Sequence, residues 1–198
     1  MSGLAEALAA LHDGDLVVMP TDTVYGLAGR ADIADAVTSI FAIKARPSDR
    51  ALPVLGANVE DLRSVARFTT DALRLAAAFW PGQVTLVVER APRFTFDLGG
   101  RDETTVGVRV PAHPLALQLL GETGPLAVTS ANLSGADPAL TISEARAALG
   151  DSVAVYLDGG ALDGAPSTVV RVIDHLEILR EGAVGRAELT AALRGDQT

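Results

Sequence analysis

Leu4, Leu8 and Leu11 recur at the spacing of one helical face, Ser2 is placed to cap them, and Asp13-Gly14-Asp15 closes the stretch. Leu16-Val17-Val18-Met19 then reads as a buried strand running into Pro20, and a polar, glycine-containing loop is predicted over 21–30. Asp32 stands where it would cap a second helix, with a stripe of Ile33, Val37, Ile40 and Phe41 and with Ile43 at its edge. Pro47 ends that helix at Arg46, because the residue before a proline is pushed out of the α region. A short strand follows at 52–55. Helices are predicted at 59–67 after Asn58 and at 71–79 after Thr70, and Trp80-Pro81-Gly82 breaks the second. Strands are expected at 85–89 and 104–110, a short helix at 114–120 closed by Gly121, and a strand at 126–129. Thr141 and Glu144 have capping-box spacing for a helix over 141–149. Strands at 153–157, 168–173 and 177–180 and a helix at 186–193 complete the pattern. Several strands follow one another with no helix between, which predicts a single α/β domain over 1–198 around a twisted mixed sheet.

Composition narrows the class. The chain has 198 residues, a domain-sized length, and 48% are hydrophobic, which excludes a mainly disordered chain. No apolar run approaches the roughly 20 residues that span a bilayer. The first ten residues lack the basic and apolar regions of a secretory signal. Cysteine is absent, which excludes disulfides and thiolate metal sites. A soluble cytoplasmic protein is expected. With Lys+Arg 16 against Asp+Glu 25, the formal charge of -9 disfavours non-specific wrapping of DNA but leaves room for a small basic pocket.

The common nucleotide and hydrolase signatures are missing: no P-loop, no G-x-G-x-x-G and no G-x-S-x-G. His12, His113 and His175 have no metal spacing. Polar groups remain at the ends of apolar segments. In Pro20-Thr21-Asp22-Thr23, an extended chain would put Val17, Met19, Thr21 and Thr23 on one face, with hydroxyls where the strand leaves the core. A turn whose Asp22 and threonines satisfy local backbone is the other reading. Lys44 and Arg46 flank the end of the second helix, and a compact ammonium beside a planar guanidinium suits phosphates. A solvated helix end is the alternative. Ser130 and Asn132 follow the strand Leu126-Ala127-Val128-Thr129. In Thr105-Val106-Gly107-Val108-Arg109 the valines share one face, and Arg109 sits on the roomier polar one. An arginine facing the core needs a carboxylate or an anionic ligand. Ser167-Thr168 and Leu179-Arg180 place further polar groups at strand ends.

In order, the fragments PTDTVYGL (20–27), KARP (44–47), WPG with TLVV (80–88), VGVRVPAHP (106–114), PLAVTSANLSG (125–135), STVV (167–170) and LREGAV (179–184) resemble the YrdC-like threonylcarbamoyl-AMP synthase family in its short form. The resemblance implies a mixed-sheet α/β fold with a deep central cavity. It implies condensation of L-threonine, bicarbonate and ATP, with magnesium, into threonylcarbamoyl-adenylate and pyrophosphate. Separate proteins would then carry the threonylcarbamoyl group to tRNA. Matched to the family, Lys44 and Arg46 would be catalytic. Thr23, Arg109, Ser130 and Ser167 would hold threonine. Lys44, Arg46, Arg50, Thr105, Asn132, Thr141 and Arg180 would contact ATP.

The chain departs from the family pattern in two places. Gln83 stands where a proline usually follows WPG, and Leu55 stands where many relatives have a histidine that contacts threonine. A YciO-like paralogue with another ligand and an RNA-binding module of the same fold are the competing readings. The acidic balance weighs against the second, and no membrane partner is expected.

Overall fold

Alternation along the strands sorts the core into two faces. In a computed structural model that describes residues 2–45 and 48–195, ten strands form one sheet. They are β1 (Val17–Met19), β2 (Gly26–Arg30), β3 (Val54–Leu55), β4 (Ala66–Arg67), β5 (Val84–Arg90), β6 (Thr105–Arg109), β7 (Leu126–Ser130), β8 (Val155–Tyr156), β9 (Thr168–Val172) and β10 (Leu176–Arg180). The order across the sheet is β10-β9-β5-β6-β3-β7-β2-β1-β8, with β4 on β5. Parallel pairs (β1/β8, β3/β6, β5/β9) are interspersed among antiparallel ones, so the sheet is mixed. On one face Val18, Leu27, Val54, Ala127, Val108, Leu86 and Val170 pack in the larger core. That core takes the apolar sides of α2 (Ala34–Lys44), α4 (Thr70–Phe79), α6 (Ile142–Leu149) and α7 (Arg186–Arg194).

The other face is divided. On β1, β2, β3 and β7 it presents Val17, Met19, Ala28, Leu55, Leu126 and Val128 to α1 (Ser2–His12) and α5 (Pro114–Thr123). Those strands are therefore buried on both sides, which is why they read as continuous apolar runs. Register carries the same face onto β6, β5 and β9 through Leu55↔Arg109, Val87↔Gly107 and Thr85↔Val169. There the residues are Thr105, Gly107 and Arg109, then Thr85 and Val87, then Val169. Gly107, Val87 and Val169 stay half-exposed. The site lies on this uncovered half.

The structure corrects several local expectations. The segment 26–30 is strand, not loop. Its glycines lower strand propensity but serve packing, since a Cβ at Gly26 would lie 2.6 Å from Val128 Cγ1 on the paired strand. The helix expected over 59–67 is a single turn, α3 (Val59–Leu62), capped by Asn58. Ala66 and Arg67 leave it to pair with Arg90 and Glu89, so a tertiary ladder outweighs local propensity. Helix α2 ends at Lys44, before Pro47: Ala45 takes φ 47°, and its N–H bonds the carbonyls of Ala42 and Phe41. Asp32 does not cap that helix, because its carboxylate receives the Arg30 guanidinium at 2.6 and 2.8 Å. The cap of α4 is Thr69 rather than Thr70, and α5 runs through Gly121 to end at Gly124.

The capping box at α6 forms as its spacing indicates, with Glu144 N–H donating to Thr141 Oγ1 and Thr141 N–H to Glu144 Oε2. Thr141→Ala is expected to cost about 1 kcal/mol, a fall of roughly 2–4 °C in Tm, read by a thermal melt.

Candidate active site

Arg109 ends β6 on the uncovered half of the sheet, with its side chain only 7% exposed. Nη2 donates to Asp22 Oδ1 at 2.6 Å, Nε to the Gly82 carbonyl at 2.8 Å and Nη1 to Thr23 Oγ1 at 3.3 Å. Asp22 is nearly as buried, at 11%. The turn at Gly82 that offers this carbonyl is tight, since a Cβ there would stand 2.5 Å from Phe79 O. Both readings of the 20–27 fragment prove partly right. Strand β1 stops at Met19, and Thr21 closes a turn, donating to Val24 O at 2.6 Å and accepting the N–H groups of Thr23 and Val24. The Thr21 hydroxyl is thus used locally, while Asp22 and Thr23 reach Arg109.

Tyr25 fastens the facing loop. Its phenol, fully buried, donates to Gly160 O at 2.7 Å and accepts the Gly159 N–H at 2.9 Å, and burial pushes its pKa up. That loop returns Gly164 N–H to Thr23 O and leads to Ser167, whose hydroxyl lies 3.0 Å from Thr85 Oγ1. Arg180 donates to the Ser167 carbonyl at 2.8 Å and to its hydroxyl at 3.0 Å.

Two guanidiniums and one carboxylate share this corner. Burial lowers the pKa of Arg109, Asp22 opposes that, and repulsion from Arg180 lowers it further. Among the described residues Arg180 meets no carboxylate. A local excess of positive charge inside a chain of net charge -9 suits an anionic ligand.

A second cluster adjoins the first. Lys44 is 2% exposed, and its ammonium donates to the carbonyls of Ser130 and Asn132 at 2.5 Å and to Asn132 Oδ1 at 3.2 Å. Asn132 Nδ2 donates to Leu133 O and Ala136 O, and Ser134 N–H returns to Lys44 O. This burial replaces the solvated helix-end reading of Lys44. Thr23 and Tyr25 join the clusters: Thr23 accepts from Arg109, and the Tyr25 carbonyl accepts the Ala131 N–H at 2.8 Å. Two residues span at most about 7 Å, so the clusters are neighbours.

The remaining expected site residues are more dispersed. Thr105 lies at the start of β6 on the Arg109 face, its hydroxyl donating to Asp102. Thr141 caps α6, and Arg50 is exposed. Arg46 lies outside the described residues. Leu55 packs beneath α1 and α5 in the apolar cluster. From the sequence Thr85 carried no site role, Gln83 appeared only as a departure from proline, and Asp22 appeared only as a turn residue. Gln83 Nε2 donates to the Asp22 carbonyl at 2.9 Å, so the departure from proline supports the acidic loop. The need of Arg109 for a carboxylate or an anionic ligand was the available signal, and the fold identifies Asp22 as the carboxylate. No group of three or more His, Asp or Glu that could hold a metal occurs among the described residues, and no described helix is long and apolar enough to cross a membrane.

The family model described as telomere recombination, covering Sua5, YciO and YrdC, matches residues 9–182. A protein of Mycobacterium tuberculosis is 41% identical over 197 residues, 98% of this chain and 90% of its own. The threonylcarbamoyl-AMP synthase of Bacillus subtilis is 36% identical over 96% of this chain and 56% of its own. The crystal structure of P. abyssi Sua5 complexed with L-threonine superposes with a TM-score of 0.87 at 34% identity, covering 96% of this chain and 56% of that one. The chain thus spans just over half the length of the last two proteins.

Proposed function

Because the chain belongs to the Sua5–YciO–YrdC family, we propose that it is an L-threonylcarbamoyladenylate synthase, a nucleotidyltransferase that supplies tRNA modification in the cytoplasm. The observation that carries this reading is the buried Arg109 corner, with hydroxyls and a second guanidinium on an uncovered sheet face. A relative so named and a threonine-bound neighbour of the same fold support it. Threonine brings a carboxylate, which Arg109 would hold, with Thr23, Ser130 and Ser167 offering hydroxyls. ATP brings the phosphates, for which Arg180 is charged and exposed.

The deprotonated amine of threonine takes up the carbon of bicarbonate, a C–O bond breaks and water leaves, and the resulting carbamate is already anionic. A carbamate oxygen attacks the α-phosphorus, and the bond to pyrophosphate breaks. Such a step needs position and charge stabilisation more than a general base. Lys44 acts here by fixing the Ser130–Asn132 turn. Magnesium would enter on the triphosphate. The described residues do not form a cage for it, since no cluster of three or more His, Asp or Glu that could hold a metal occurs among them and one oxygen of Asp22, the carboxylate of this corner, is paired with Arg109. The product would pass to proteins that transfer it to tRNA.

Pyrophosphate release is expected to require ATP, L-threonine and bicarbonate together. Equal release without threonine would point to a paralogue with another ligand.

A further inference from the structure

We propose that Asp22 is the receptor for the α-ammonium group of the amino-acid substrate and so sets specificity for amino acids over hydroxy acids; this rests on the synthase reading above. Its Oδ1 is spent on Arg109 at 2.6 Å, while Oδ2 is buried and has no hydrogen-bond partner among the described residues. A buried carboxylate oxygen without a donor is costly, and a ligand that supplies one removes the cost. Among the described residues, donors next to Asp22 are directed elsewhere. Gln83 Nε2 goes to the backbone carbonyl of Asp22, the Thr23 N–H to Thr21 Oγ1, and the Thr23 hydroxyl to an exchange with Thr21 while accepting from Arg109.

The chemistry matches one ligand class. An α-amino acid carries its carboxylate and its ammonium on a single carbon. Asp22 and Arg109 present the complementary charges in direct contact. A carboxylate with an unpaired oxygen suits the ammonium, and a guanidinium in a net-positive corner suits the carboxylate. Holding the ammonium there also fixes the nitrogen that must take up bicarbonate carbon. Asp22 is then a substrate-binding residue as well as the partner that orients Arg109.

Calorimetry on the whole chain separates these roles, using L-threonine and 3-hydroxybutyrate, which is threonine without its amino group. Wild type is expected to bind threonine at least about tenfold more tightly than 3-hydroxybutyrate. Equal affinities would overturn the proposal even if no variant folds. Asp22→Asn keeps an oxygen for Arg109 but loses the charge. It is expected to lower threonine affinity about tenfold or more and to leave 3-hydroxybutyrate within about twofold. It should also flatten the dependence of threonine binding on pH through the range where the ammonium deprotonates. Unchanged threonine affinity, or an equal loss for both ligands with the pH dependence intact, means that Asp22 serves Arg109 alone. A wild-type protein that binds no threonine sinks the synthase reading itself, a result distinct from failure of the variant.

Discussion

Arg109→Ala is expected to weaken threonine binding by about 2–5 kcal/mol, the usual loss when one partner of a buried charge pair is removed. ATP affinity should change much less. The same variant should also lose stability, by about 3–5 kcal/mol, because Asp22 would remain as a buried charge without its cation. The two losses have different causes and can be separated. In the double variant Asp22→Asn with Arg109→Met, no buried charge is left and much of the stability should return, since apolar replacements of buried ion pairs are often neutral. Threonine binding should not return. Thermal melts and calorimetry on the single and double variants check both halves. Unchanged threonine affinity in Arg109→Ala would refute the assignment.

Lys44→Ala should be nearly as damaging, by another route. The ammonium is sealed among the carbonyls of Ser130 and Asn132 and the Asn132 amide oxygen. Hydrogen bonds to a charged group contribute about 1.5–3 kcal/mol each and do not add fully, so a loss of about 3 kcal/mol is expected. That corresponds to a fall of roughly 6–12 °C in Tm. Turnover should drop about a hundred- to a thousandfold, because the Ser130–Asn132 turn is no longer held where the substrates meet. A solvated lysine at a helix end would cost only about 0.3–1 kcal/mol and leave turnover near normal. A melt and steady-state pyrophosphate release on one preparation decide the matter. A variant that melts with wild type and turns over within a few-fold would show that Lys44 holds nothing.

Much of the fold could be read along the chain, because strands with one polar face announce themselves. The valines and the Arg109 of β6 fall on the faces that alternation assigns, and the Thr141–Glu144 box sits where its spacing puts it. Failures cluster where long-range pairing decides. Gly26 and Gly29 look like loop until β7 and Leu16 are seen to need their missing side chains. Ala66 and Arg67 look helical until β5 claims them. In the site, residue types suggested charge and hydroxyls but not who pairs with whom. Lys44 read as a phosphate-binding cation or a solvated helix end, because the carbonyls that bury it lie far along the chain. Asp22 appeared a turn residue because its partner, Arg109 at the end of β6, lies 87 residues further along the chain.

Three cations of the site each take at least one main-chain carbonyl: Arg109 takes Gly82 O, Arg180 takes Ser167 O, and Lys44 takes Ser130 O and Asn132 O. A carbonyl cannot be mutated away. Divergence among relatives can therefore rewrite the residues that flank these positions, as at Gln83 and Leu55, while the charges keep their stations so long as the backbone keeps its course. Heritable change in this protein is freest where side chains border the cations, and most restricted at Gly82, where the backbone itself must come close enough to serve as the ligand.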